Sequence, residues 1–200
     1  MAASVEQSWA RILRWLSVNV TWAVPAVAPP ASPQAVADAE REIGARLPDD
    51  LKQWWLLADG MTDMVLCLPP ECQPLSVADS LEDRRMHLHD WRALGKPTSS
   101  AGVAGEPSLP FLDLFLPIGT DGCGGYLYVD LRDGDLRGSV GWCNGEEAHD
   151  GAEWDSTAHL LAATAEAMTA GVPCKGPYGD VVPEPDPASF VMWRRVGEAG

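Results

Sequence analysis

Apolar residues near the start of the chain recur with the spacing of amphipathic helices. In the first segment, Val5, Trp9, Ile12 and Leu16 follow the i, i+4, i+7 pattern of a helix with one buried face. Later helices are indicated by their start and stop signals, because serine caps a helix start and glycine favours its end. These helices are predicted to begin after Ser32, near Leu47, after Ser76 and after Ser156, and to end at Gly44, Asp59-Gly60, Leu94 and Gly171.

The pattern changes at residues 115–134, which read FLPIGTDGCGGYLYVDLRDG. An apolar run from Leu114 to Ile118 is followed by a glycine-rich turn over 119–125, since glycine adopts positive φ without steric cost. Residues 126–131 then alternate as a half-buried strand. A second turn over 133–135 leads into residues 138–143, so the run predicts an antiparallel meander. A short edge strand is expected in the proline-rich residues 67–75.

The remaining segments are rich in glycine, serine or proline, and they suggest three parts of the chain. Residues 1–31 form a helix with a proline-rich connector, residues 32–171 the main domain, and residues 172–200 a proline-rich tail. Within the main domain, residues 96–110 are predicted to be a mobile loop. In the tail, residues 190–193 either dock back as a short strand or add to a neighbour.

The formal charge of −15 and the pI of about 4.4 limit the classes of partner. They argue against direct nucleic-acid binding and against an anionic membrane surface, which both need clustered lysine and arginine. They favour a basic protein partner, although an acidic cytosolic proteome would account for the same charge. The five cysteines are odd in number and form no CxxC pair. The apolar residues 12–28 are interrupted by polar residues, which is unlike an export signal. The sequence therefore predicts reduced thiols and a cytoplasmic location.

Few residues suggest catalysis or metal binding. Cys123 lies in the glycine turn, but the neighbouring Asp121 would raise its pKa rather than lower it, so a small turn residue is the alternative. His87 and His89 are two positions apart and point to different sides of a helix. His149, between Glu147 and Asp150, leaves a weak divalent site open. No catalytic residue, metal ligand or cofactor is therefore predicted, and an enzyme using Cys123 or the His149 cluster is a minor hypothesis.

One fifth of the chain, residues 116–155, is strongly acidic. Nine acidic residues lie in this range, opposed by two arginines. Acidic residues around an aromatic anchor would steer and hold a basic partner. The alternative is a solvated loop with Trp154 folded inward. The candidate protein-binding residues are Asp121, Asp133, Asp135, Glu146, Glu147, Asp150, Glu153 and Trp154.

The order of short motifs resembles the SUKH superfamily, which includes fungal cell-wall assembly regulators and many bacterial relatives. The motifs are Glu42-Ile43-Gly44 with Leu47-Pro48 and Asp50-Leu51, Asp59-Gly60, and Leu116-Pro117-Ile118-Gly119 with Asp121, Gly124, Gly125 and Asp130. The similarity runs from about Pro33 to Gly171. It implies a single α+β domain with helices packed against an antiparallel β-meander. The long loop over residues 96–110 and the tail after Gly171 depart from the family pattern.

The resemblance also implies a non-catalytic role. Bacterial members are similar to immunity proteins, which neutralise a cognate toxin by binding it, and fungal members resemble regulatory scaffolds. We therefore predict a protein-binding domain whose partner is another, basic protein. Two roles stay open: an immunity protein that neutralises a toxin, or a regulatory scaffold in cell-wall or signalling assembly.

Overall fold

The computed structural model describes residues 3–144, 149, 151–176, 178–185 and 191–197. They form an α+β arrangement in one domain, as predicted. The helices are α1 (Val5–Asn19), α2 (Pro33–Ile43), α3 (Asp49–Trp55), α4 (Val77–Ala93) and α5 (Thr157–Ala170), with a 3-10 helix at Thr21–Ala26. The strands are β1 (Gln73–Pro74), β2 (Phe115–Thr120), β3 (Tyr126–Asp130), β4 (Val140–Cys143), β5 (Ala152–Trp154), β6 (Val181–Pro185) and β7 (Val191–Arg195). Strands β1 to β5 form one antiparallel sheet in chain order, and β6 and β7 form a separate hairpin.

The three helix starts that were predicted at a serine are confirmed by side-chain hydrogen bonds, whereas α3 begins at Asp49 without one. Ser32 accepts the backbone N–H of Ala35, and Ser76 and Ser156 make the equivalent bonds at α4 and α5. The two helix-ending glycines have φ angles of 76° at Gly44 and 66° at Gly171. A side chain would be strained at these angles, which is why glycine ends both helices. Helix α3 ends at Trp55, earlier than the predicted Asp59-Gly60.

The five-stranded sheet is covered on both faces. From β3, Leu127 and Val129 join the main core, which is packed by α1, α2, α3 and α5. Tyr126 and Tyr128 point the other way, into an aromatic core that includes Phe111. The prediction of a half-buried strand was therefore wrong, because every residue of β3 is buried. Helix α4 and the segment before β2 cover the face that the alternation assigned to solvent.

A buried ion pair holds the segment that we expected to be a mobile loop. The Arg132 guanidinium lies 2.7 Å from the Asp130 carboxylate, and both side chains are 3% exposed. Arg132 also donates to the carbonyl oxygens of Ala101 and Glu106, at 2.9 and 2.7 Å. Asp130 in turn accepts the backbone N–H of Gly105 at 2.9 Å. The loop over residues 96–110 is thus fixed to the end of β3 by charged groups distant in sequence.

Both ends of the described chain pack against the central domain. Helix α1 packs against α5 and α3, and its apolar face joins the main core. The β6–β7 hairpin is held by Trp193, whose indole N–H donates to the Leu66 carbonyl at 3.1 Å. Cys174 pairs with Val181 and extends the hairpin. No helix within the described residues is long and apolar enough to cross a membrane.

Candidate protein-binding surface

The turn between β2 and β3, residues 121–125, is fixed by Asp121. Its carboxylate accepts the backbone N–H groups of Cys123 and Gly125, at 2.7 and 2.8 Å. Gly122 and Gly124 have φ angles of 72° and 106°, which glycine adopts without strain. Residues 122–124 are exposed, so this glycine turn presents a fixed backbone to solvent. A cleft lies on each side of it.

The first cleft, which we call the aromatic cleft, lies between the sheet and the β6–β7 hairpin. Its volume is about 320 Å³. The Arg195 guanidinium carbon lies 5.1 Å above the centre of the Tyr178 ring. Glu71 Oε1 accepts the backbone N–H of Trp193 at 3.4 Å. The cleft is lined by Pro70, Glu71, Asp121, Trp142, Asn144, Tyr178, Val181, Trp193 and Arg195.

The second cleft, which we call the α4 groove, lies between helix α4 and the other side of the glycine turn. Its volume is about 350 Å³, and Asp79, Asp83, Met86 and His87 line its helical wall. Burial raises the pKa of the Asp83 carboxyl, and the charges of Asp79 and Glu82 raise it further. The groove therefore combines an acidic wall with a half-exposed methionine side chain.

The described members of the predicted acidic surface lie in three places. Asp121 lies at the glycine turn, whereas Asp133 and Asp135 are exposed in the turn at the opposite end of β3. Glu153 lies on β5, where its carboxylate is 2.9 Å from the Lys175 ammonium group. Glu146, Glu147 and Asp150 lie outside the described residues. The structure does not bring the four described acidic residues together, and their role in binding stays a prediction.

Trp154 lies in the main core and is 1% exposed. It is the last residue of β5, whose pairing with β4 places Trp154 opposite Val140. An aromatic anchor for a partner has to reach solvent, so Trp154 does not fill that role. Trp154 is therefore folded inward, and the acidic loop named in the same alternative, with Glu146, Glu147 and Asp150, lies outside the described residues. The reason for the inward position is the strand itself, which turns this side chain towards the helices.

His149 is fully buried in the aromatic core, and both of its ring nitrogens make hydrogen bonds. Nδ1 lies 3.1 Å from the carbonyl oxygen of Ser108, which can only accept, so Nδ1 carries the proton. Nε2 therefore accepts from the Tyr126 hydroxyl at 2.8 Å. Burial lowers the pKa of His149 to about 4, so the ring is neutral at pH 7. This histidine has no free nitrogen for a metal or a substrate.

The other groups that suggested chemistry are also accounted for by the fold. His87 stacks on the Phe111 ring with 5.1 Å between ring centres, and His89 is exposed, as the helical spacing predicts. Cys123 is exposed at the glycine turn, whereas the other four cysteines are buried. Within the described part of the chain, no group of three or more His, Cys, Asp or Glu side chains is placed to hold a metal ion. Glu147 and Asp150, the predicted neighbours of a His149 site, are outside that part.

The aromatic cleft was missed at the sequence level. Glu71, Trp142 and Trp193 are far apart in the chain, and only the docking of the β6–β7 hairpin brings them together. Nine tryptophans in 200 residues were a signal that some line a surface, but that count identifies no position.

Comparison with known protein families gives a match over most of the chain. The model of the SMI1 / KNR4 family (SUKH-1) matches residues 30–168 of the chain. This range contains α2 to α4, most of α5 and all five strands of the sheet. Helix α1 and the β6–β7 hairpin lie outside it. No curated protein matches the chain.

Proposed function

Because the chain belongs to the SMI1 / KNR4 family (SUKH-1), we propose that it is a non-catalytic domain that binds a basic protein. Its specific role in this proposal is that of an immunity protein, which neutralises a cognate toxin by covering it. The charge of −15 supports a basic partner, because complementary charge speeds encounter and suppresses wrong partners. The family's bacterial members resemble immunity proteins, which supports the role.

The observation that carries this proposal is the surface around the glycine turn. Clefts of about 320 and 350 Å³ flank the turn, and each has two carboxylates in its lining. These are Glu71 and Asp121 on one side, and Asp79 and Asp83 on the other. The turn is held by its own hydrogen bonds, so a partner would meet a preorganised surface and little ordering entropy would be lost.

Protein capture followed by co-expression tests the proposal. The tagged chain is used to capture proteins from native cell extract at low and high salt, and the captured protein is identified by mass spectrometry. We expect a basic protein whose capture falls as salt rises, because exposed charges are screened. That protein should stop growth when expressed alone and be tolerated when this chain is co-expressed.

Two matched variants sharpen the experiment. The proposed surface is the glycine turn with its two clefts, and it leaves out the predicted candidates Asp133 and Asp135. Asp121→Asn and Asp135→Asn therefore remove the same charge inside and outside this surface, and only the first should reduce protection. A captured basic protein that is harmless alone would instead support the regulatory alternative. Capture of no basic protein at low salt would contradict the proposal as a whole.

A further inference from the structure

Two parts of the chain form the aromatic cleft, one inside and one outside the range that the family model matches. Glu71, Asp121 and Trp142 belong to the range that the family model matches, residues 30–168. Tyr178, Val181, Trp193 and Arg195 come from the segment after that range. The hairpin is fixed to the domain by the bond from the Trp193 indole to Leu66. The cleft is therefore a feature that the C-terminal segment adds to the family domain.

The walls of the cleft have the chemistry of a cation site. Three aromatic side chains line it, and aromatic ring faces attract cations. The chain already places one guanidinium against these walls, since Arg195 lies over the Tyr178 ring. The two carboxylates, Glu71 and Asp121, outnumber the one cation of the lining, Arg195, and leave the cleft with a net negative charge.

The backbone at Glu71 is strained in a way that places this residue at the cleft. Its φ angle is 123°, the one positive value at a non-glycine residue among those described. A non-glycine residue adopts such an angle at a cost in energy, and the angle persists where the surrounding structure holds it in place. The contact of the Glu71 carboxylate with the backbone of Trp193 is one such constraint.

We propose that the aromatic cleft binds an arginine or lysine side chain of the protein partner, and that the β6–β7 hairpin gives this chain its own partner specificity. The cation lies against the aromatic walls and pairs with the carboxylates of Glu71 and Asp121. This proposal deepens the proposed function, since it names the group by which a basic partner is recognised. It requires that the cleft bind such a group even when the rest of the partner is absent.

The test uses the tripeptide acetyl-Gly-Arg-Gly-amide and its neutral analogue, in which citrulline replaces arginine. Each is titrated into the full chain with ¹⁵N-labelled tryptophan, and the indole N–H signals are followed by NMR. We expect the arginine peptide to shift the Trp142 and Trp193 signals saturably, with a dissociation constant in the millimolar range. The citrulline peptide should leave these signals in place, because it has the same shape and no charge.

Two double variants distinguish binding in the cleft from attraction to the acidic chain as a whole. Asp121→Asn with Glu71→Gln keeps both hydrogen-bond acceptors and should weaken peptide binding about tenfold, as expected for lost charge-assisted bonds. Asp133→Asn with Asp135→Asn removes the same charge at the far end of β3 and should leave the affinity unchanged. The proposal would be overturned by equal shifts from both peptides or by no shift of either indole signal. It would also be overturned by an equal loss of peptide affinity in both double variants.

The proposed function and this inference fail separately. If a basic protein is captured and Asp121→Asn reduces protection, but the arginine peptide shifts neither indole signal, the cleft assignment is wrong and the proposed function stands. If the arginine peptide binds the cleft but the chain captures no basic protein, the cleft assignment stands and the proposed function is wrong.

Discussion

The buried His149 makes the stability of this domain depend on pH in a defined direction. Folding removes the ring from water, uses both nitrogens in hydrogen bonds and lowers its pKa from 6.5 to about 4. The folded state therefore binds fewer protons than the unfolded state between these two values. The contribution of the neutral ring is complete above pH 6.5 and is lost as the pH falls towards 4.

The size of the loss follows from the same two values. Each pH unit below 6.5 costs about 1.4 kcal/mol until the folded pKa is reached, because one more proton is bound on unfolding. Acidification to pH 5 should thus remove about 2 kcal/mol through His149, and acidification to pH 4 about 3 kcal/mol. A loss of this size is a large fraction of the 5–15 kcal/mol that is typical for a domain.

Urea unfolding of the wild type and of His149→Gln, at pH 7.5 and pH 5, measures this effect. Glutamine keeps a donor and an acceptor but does not titrate, so the variant should be less stable at pH 7.5 and lose about 2 kcal/mol less than the wild type on acidification. His89→Gln, which removes an exposed imidazole, is the matched control and should keep the wild-type dependence. Parallel pH dependences for the wild type and His149→Gln would refute the reasoning.

Three further predictions concern the core and the thiols. Arg132→Met leaves the Asp130 carboxylate buried without its cation and should lower the free energy of unfolding in urea by about 3–5 kcal/mol. Adding Asp130→Asn should restore part of this loss. A loss below about 1 kcal/mol would contradict the role of this ion pair. Trp154→Ala should destabilise the domain by about 3–5 kcal/mol, because it empties a core position, and wild-type stability would show that Trp154 is not a core residue. In the native protein, a thiol reagent should modify one of the five cysteines, Cys123, since burial raises the pKa of Cys67 and Cys174 to about 12; reaction of a second thiol before unfolding would contradict the described packing.

The features that were predicted best are those that depend on residues close together in the sequence. Ser32, Ser76 and Ser156 cap their helices through bonds to residues three positions away, so these starts were readable locally. The burial of β3 was not readable, because the alternation of Tyr126 and Tyr128 fits either solvent or a second core. Helix α4 and the segment before β2, which contains Phe111, bury these side chains, and the local alternation carries no information about either.

The candidate site shows the same limit. Acidic residues that are close in sequence separate to opposite ends of β3, as Asp121 and Asp135 do. Trp154 was singled out for its acidic neighbours, although the pairing of its strand turns it inward. The glycine turn was predicted from the sequence, but its position between two clefts depends on the hairpin and α4, which lie beside it in the structure.

Cross-linking from the glycine turn tests the central claim most directly. A photo-reactive maleimide on Cys123 is compared with the same probe on Cys123→Ser with Asp135→Cys, each in native cell extract at low salt. We predict that the Cys123 probe cross-links a basic protein, less so at high salt, and that the distant probe does not. No cross-linked protein at the glycine turn, or equal cross-linking from both ends of β3, would contradict the account.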